Sequence, residues 1–316
     1  MPRKETATLG KFSAAKITAK GEERASISMS GLKTLWFNTG TLCNLACANC
    51  YIESTPKNDR LVYLTHAEVT KYLDEIRRDN LPTDEIAITG GEPFMNPDII
   101  PIMEESLKRG FKLLVLTNAM RPMMKAAADL LRLKNKYSDQ MTLRISVDHF
   151  KQELHEEERG DRSWRPMMLG LKWLSENDFT IDIAGRTRWG EDETDLRIGF
   201  DAFFKEHNIQ IDAHDQKQLM LFPEMDENVP VPEITTACWG ILNVAPESMM
   251  CASSRMVVKR KEDDKPSVMA CTLLAYDQQF NMGGTLKEAS KDVYLNHPHC
   301  AKFCVLGGGA CSASEN

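Results

Sequence analysis

The sequence has no hydrophobic run approaching the length of a membrane span. Its first twenty residues are basic and polar and lack the apolar core of a secretory signal, so a cytoplasmic address is expected. Excess positive charge is missing as well: 39 Lys and Arg against 46 Asp and Glu leave a net charge of -7. With no basic, aromatic-laced face, the sequence argues against nucleic acid or an anionic membrane as partner. No segment repeats at a fixed period, which excludes a solenoid. Cysteine is absent from 51 to 237, although the chain holds nine.

Where the cysteines do occur is informative. Cys43, Cys47 and Cys50 fall within eight residues, just after the apolar run Leu35-Trp36-Phe37, and six more lie at 238, 251, 271, 300, 304 and 311. In a reducing compartment, clustered thiols read as metal ligands rather than disulfides. A structural zinc site would want four tight ligands, yet the nearest His to the triplet is His66. A four-iron cluster takes one thiolate per iron, so three local cysteines leave one iron open to a substrate or cofactor.

The 316 residues, 42% hydrophobic and 27% charged, suffice for one large domain with an appendage or for two modest ones. Residues 1–32 read as a loose arm or edge hairpin. From 33 to about 225, short apolar runs alternate with helical stretches. Strands are expected at 33–37, 85–88, 111–116, 141–147 and 179–183, with a sixth at 209–211 or 218–221. Thr65 and Glu68 form a capping box ahead of the stripe Val69, Tyr72, Leu73 and Ile76. Such alternation means a parallel sheet with right-handed crossovers, and six units fit a partial (β/α)6 TIM-like barrel. Cys43 to Cys50, Gly90 to Glu92, Thr117, Asn118, Ser146, Asp148 and Arg186 all fall at or just beyond C-terminal strand ends, the rim where α/β proteins bind ligands. His149, His155 and the acidic run Glu153 to Glu158 read as a solvated loop.

Cys43-x3-Cys47-x2-Cys50 after an early strand, followed some forty residues later by Thr89-Gly90-Gly91-Glu92-Pro93, resembles the radical S-adenosylmethionine superfamily. The resemblance implies an enzyme with a [4Fe–4S] cluster on Cys43, Cys47 and Cys50, whose open iron chelates S-adenosylmethionine. Reductive cleavage would then give a 5′-deoxyadenosyl radical that abstracts a substrate hydrogen. It further implies that Gly90, Gly91 and Glu92 hold the S-adenosylmethionine amino group. Thr117, Asn118, Ser146 and Asp148 offer hydroxyl, amide and carboxylate groups suited to its ribose and carboxylate, and Arg186 could pair with the carboxylate. The residue before the third cysteine, often aromatic or His in the family, is Asn49 here, and Tyr51 is the nearby candidate for packing on adenine.

Residues 226–316 are similar to the SPASM and twitch extensions of the same superfamily. Cys238 and Cys251 flank a hairpin-like apolar segment, 241–250, and Cys300, Cys304 and Cys311 surround the glycine run 307–309. One auxiliary [4Fe–4S] cluster is expected on Cys238, Cys300, Cys304 and Cys311, with Cys251 a contender and Cys271 a buried thiol. Expected partners are a peptide or small-molecule substrate and a reductant such as flavodoxin or ferredoxin. The alternative is a non-catalytic iron–sulfur protein of electron transfer or cluster assembly.

Overall fold

The structure, a computed structural model, describes residues 10–224 and 229–307. In chain order the elements are β1 (Ser26–Ile27), β2 (Thr34–Asn38), α1 (His66–Arg78), β3 (Glu85–Thr89), α2 (Ile99–Lys108), β4 (Lys112–Thr117), α3 (Arg121–Lys125), α4 (Ala127–Tyr137), β5 (Met141–Ser146), α5 (Gln152–Arg159), α6 (Trp164–Glu176), β6 (Thr180–Arg186), α7 (Glu193–Glu206) and β7 (Leu219–Phe222). There follow α8 (Cys238–Leu242), β8 (Ser254–Val258), β9 (Ser267–Met269), β10 (Asn281–Gly283) and β11 (Val293–Tyr294).

The chain divides into two compact units. The larger comprises Gly31–Glu224 and Ser254–Ala289. Its sheet runs β10-β9-β8-β2-β3-β4-β5-β6-β7, with β2 to β7 parallel in sequence order. The six successive parallel strands are those of the α/β partial barrel expected from the sequence, and the strand order is open rather than closed. Every residue of β2 is buried, as in a strand covered on both faces. A seventh parallel strand, β8, joins from the C-terminal region by pairing with β2, and β9 and β10 continue antiparallel. The acidic and basic run after Val258 is the β8–β9 turn.

The helices follow from their sequences. Thr65 Oγ1 accepts from Glu68 N at 3.3 Å and the Glu68 carboxylate accepts from Thr65 N at 2.9 Å; such a cap contributes about 1 kcal/mol. α1 buries Val69, Tyr72, Leu73 and Ile76, each such side chain stabilising by roughly 1.5–3 kcal/mol. α2 gives way to Gly110 at φ +89°, the left-handed residue past the helix end. α5 departs from the expected solvated loop: it is a helix whose inward face carries His155 and Glu158, both buried.

The other unit takes in the described residues of 1–30, 225–253 and 290–316. Here β1 pairs antiparallel with β11, and buried Arg24 binds Glu233 at 2.5 Å. Residues 241–250 are not a hairpin: α8 ends at Asn243 (φ +52°) and two short 3₁₀ turns follow, the first starting at Pro246, which has no N–H to give a ladder. Among the described residues no helix is long and apolar enough to cross a membrane.

Candidate active site

Five neighbouring strands deliver the site. The cysteine loop follows β2, Gly90-Gly91 follows β3, Thr117 ends β4, Ser146 ends β5 and Arg186 ends β6. Their ends line one cleft, which contains Cys43, Cys47, Cys50, Tyr51, Gly90, Gly91, Thr117, Asn118, Ser146 and Arg186. Glu92 and Asp148 stand behind it as supports. Ser54 and Arg159 line it too, neither marked by the sequence patterns.

Backbone hydrogen bonds hold the cysteine loop against the next strand, and Thr39 Oγ1 adds a bond to Thr89 O at 3.1 Å. Gly91 N donates to Gly40 O at 2.8 Å and Glu92 N to Leu42 O at 3.1 Å, so the β2–β3 ladder continues into the loop. A Cβ on Gly90 would lie 2.5 Å from Gly40 O, and one on Gly91 2.2 Å from Leu42 O. The close approach that requires glycine is thus to the cysteine loop itself. The buried Glu92 carboxylate accepts from Thr117 Oγ1 at 2.8 Å, Asn118 N at 2.9 Å and Phe94 N at 3.2 Å, which joins the loops after β3 and β4. Burial pushes its carboxyl up to about 7 despite these bonds. Asn118 Nδ2 in turn donates to Asn44 Oδ1 at 3.0 Å.

On the opposite side, α5 supplies charge. Glu158 accepts from Asn49 N at 3.0 Å and Asn49 Nδ2 at 2.9 Å, and pairs with Arg188 at 2.5 Å. Asn49, at the position that is often aromatic or His in the family, thus ties the cysteine loop to α5, as does Ala48, whose N donates to Glu158 O at 2.8 Å. Asp148 pairs with Arg159 and, at 3.2 Å, with Arg186, whose Nη2 donates to Asn49 O at 3.2 Å. Burial alone would push Asp148 up, but the two guanidinium groups hold it below the usual carboxylate range. Burial works against the Arg159 charge, and the Asp148 carboxylate more than offsets it, so Arg159 stays cationic.

The donor set suits an anionic cluster. Burial pushes the Cys43 thiol up to about 12, against the Leu45 N–H, and raises Cys47 against the charge of Arg159. Iron binding must displace those protons. Leu45 N points at Cys43 Sγ at 3.4 Å and Ser54 N at Cys50 Sγ at 3.3 Å, the kind of N–H···S contact that steadies cluster sulfur. Ser54 Oγ is buried in the cleft wall with no partner. Among the described residues no three His, Cys, Asp or Glu converge on a single-ion site; thiolates set around a multi-iron body stand further apart.

His149 and His155 are fully buried, not solvated. Neither His155 ring nitrogen has a hydrogen-bond partner, and its ring meets the edge of Trp164 at 5.4 Å. Burial lowers its pKa to about 4, so it is neutral at ordinary pH.

Cys238, Cys251, Cys300 and Cys304 all lie in the smaller unit, and Cys271 in the larger. Cys300 and Cys304 sit about one turn apart on the π-helical turn Cys300–Val305. Thr235 N donates to Cys238 Sγ at 3.4 Å. Cys311 lies outside the described residues.

Residues 37–193 match the Radical SAM superfamily. The chain is 32% identical over 143 residues to the antilisterial bacteriocin subtilosin biosynthesis protein AlbA of Bacillus subtilis, which covers 45% of this chain and 30% of AlbA. It is 28% identical over 138 residues to the mycofactocin maturase MftC of Mycolicibacterium smegmatis, covering 44% and 33%. The matches thus span about a third of those relatives' own lengths. Among solved structures, Streptococcus suis SuiB bound to S-adenosylmethionine aligns with a TM-score of 0.57 at 14% identity, over 80% of this chain and 63% of SuiB. Tagged anSMEcpe with bound AdoMet aligns with a TM-score of 0.58 at 14% identity, over 85% and 82%. At such identities the two structures speak to fold alone.

Proposed function

Because this chain belongs to the radical S-adenosylmethionine superfamily, we propose that it is a maturase-type enzyme that reductively cleaves S-adenosylmethionine in the cysteine cleft. The observation that carries this is the convergence of three thiols, a double glycine and a fixed cation on one cleft at successive strand ends. Cys43, Cys47 and Cys50 would hold a [4Fe–4S] cluster with one iron left for the amino and carboxylate groups of S-adenosylmethionine. When bound, that pair supplies an electron to the sulfonium and a carbon radical able to take a hydrogen atom.

The chain's own residues bind, orient and shield. Gly90 and Gly91 seat the cysteine loop and leave their backbone at the cleft wall. Glu92 is a strut: it fixes Thr117 and Asn118 so that the Asn118 amide faces Cys43 and Asn44. Arg159 and Arg186, aligned by Asp148, offer positive charge to a ligand carboxylate. Ser146 and the unpartnered Ser54 hydroxyl face ribose or carboxylate, and Tyr51, which lines the same cleft, would stack on adenine.

The smaller unit is proposed to hold one auxiliary cluster on Cys238, Cys300, Cys304 and Cys311, with Cys251 as alternative fourth ligand. A peptide is the favoured substrate: AlbA is named for bacteriocin biosynthesis, MftC as a maturase, and SuiB has been crystallised with the precursor peptide SuiA. The test is release of 5′-deoxyadenosine by the anaerobically reconstituted chain, together with iron and sulfide per chain for wild type and a Cys43/Cys47/Cys50 triple alanine variant.

A further inference from the structure

Outside the cleft, behind Cys43, lies an open hollow of about 640 Å³. Its floor is apolar, built from Leu45, Phe94, Met120, Pro122 and Pro166. Its rim carries Arg121 and Lys125, one turn apart on α3, and Arg162 before α6, against the single carboxylate Asp161. All three cations are exposed, and none forms an ion pair among the described residues. Leu169, 61% exposed, stands one turn along α6 from Pro166. In a chain of net charge -7, a local surplus of unpaired positive charge around an apolar floor is a recognition surface.

Position decides what it recognises. Asn44 and Leu45, the two residues after Cys43, form part of its wall. Leu45 N contacts Cys43 Sγ at 3.4 Å, and Asn44 Nδ2 contacts Met120 Sδ at 3.4 Å. A molecule seated in the hollow is therefore separated from a cysteine sulfur by a single residue of chain. Electron transfer between proteins falls steeply with distance, and a carrier seated here would face the cysteine loop at close range.

We propose that the hollow is the docking face of the reductant, an acidic one-electron carrier protein of the flavodoxin or ferredoxin class. This rests on the radical S-adenosylmethionine reading above. The carrier loses one electron and the cluster gains one for each S-adenosylmethionine cleaved. Charge on the rim steers the acidic partner, and the apolar floor excludes water beneath its redox group.

The test uses the full reconstituted chain, the triple reversal Arg121→Glu/Lys125→Glu/Arg162→Glu, and a milder Arg121→Gln/Lys125→Gln/Arg162→Gln variant in case the first misfolds. Affinity for oxidised flavodoxin should fall about tenfold or more in the reversal, less in the neutral variant, and lose most of its salt dependence in both. Dithionite, which needs no docking, should drive both at wild-type rate. Unchanged flavodoxin affinity overturns the proposal, as does weakened binding of an acidic peptide with carrier binding intact. Failure of dithionite to support cleavage by wild type would instead remove the proposed activity, while the affinities would still decide the docking face.

Discussion

Asp148 and Arg159 form a buried ion pair in which the arginine, not the aspartate, reaches the cysteine cleft. The aspartate also holds Arg186. A carboxylate behind the wall thereby aims two cations into the cavity, and Glu158 carries the same network to Asn49 in the cysteine loop.

Replacing Arg159 with Met leaves Asp148 with one partner and takes a positive charge from beside the thiols. Loss of one member of a buried pair costs about 3 kcal/mol or more, read as a lower melting temperature. The cluster's reduction potential should move to more negative values, and S-adenosylmethionine should bind roughly tenfold more weakly. Arg159→Lys should restore most of the potential and less of the affinity, because it keeps the charge and loses the fork.

Gly91 tests how the cysteine loop is seated. An added methyl would meet Leu42 O at 2.2 Å, a backbone atom that cannot step aside alone. Gly91→Ala should cost about 1–3 kcal/mol and displace the loop. Iron retained after reconstitution should fall with it, whereas Gly240→Ala, where a Cβ meets nothing within 4 Å, should leave iron content unchanged.

His155 predicts a pH dependence of stability. Its folded pKa is depressed to about 4 by burial, from the ordinary imidazole value of 6.5. The unfolded chain therefore binds the extra proton first, and stability from this group is complete above pH 6.5 and lost as pH falls towards 4. The loss amounts to as much as about 3 kcal/mol. His155→Phe keeps an aromatic ring against Trp164 and should flatten that limb of the curve, measured by denaturant unfolding from pH 7 to pH 4; an unaltered curve would show that His155 does not titrate there.

The frame of the site was legible because strand ends, cysteine spacing and capping residues are local signals. Thr65 with Glu68, the apolar runs of β2 to β6, and Cys43-x3-Cys47-x2-Cys50 each announce themselves within a few residues. α5 was not legible, because the face it buries carries His155 and Glu158 where an amphipathic helix would show Leu or Ile. Arg159 was hidden in the same charged run: its role depends on Asp148, eleven residues away and across a loop. β8 was hidden for another reason. Its run Met256-Val257-Val258 reads as a strand, but its choice of β2 as partner is a contact across more than two hundred residues that no local pattern records.

The most direct measurement is cleavage of S-adenosylmethionine by the anaerobically reconstituted full chain with dithionite. The account predicts 5′-deoxyadenosine and methionine from wild type and none from Cys47→Ala. Absence of both products from iron-loaded wild type, or their undiminished release by Cys47→Ala, would contradict it.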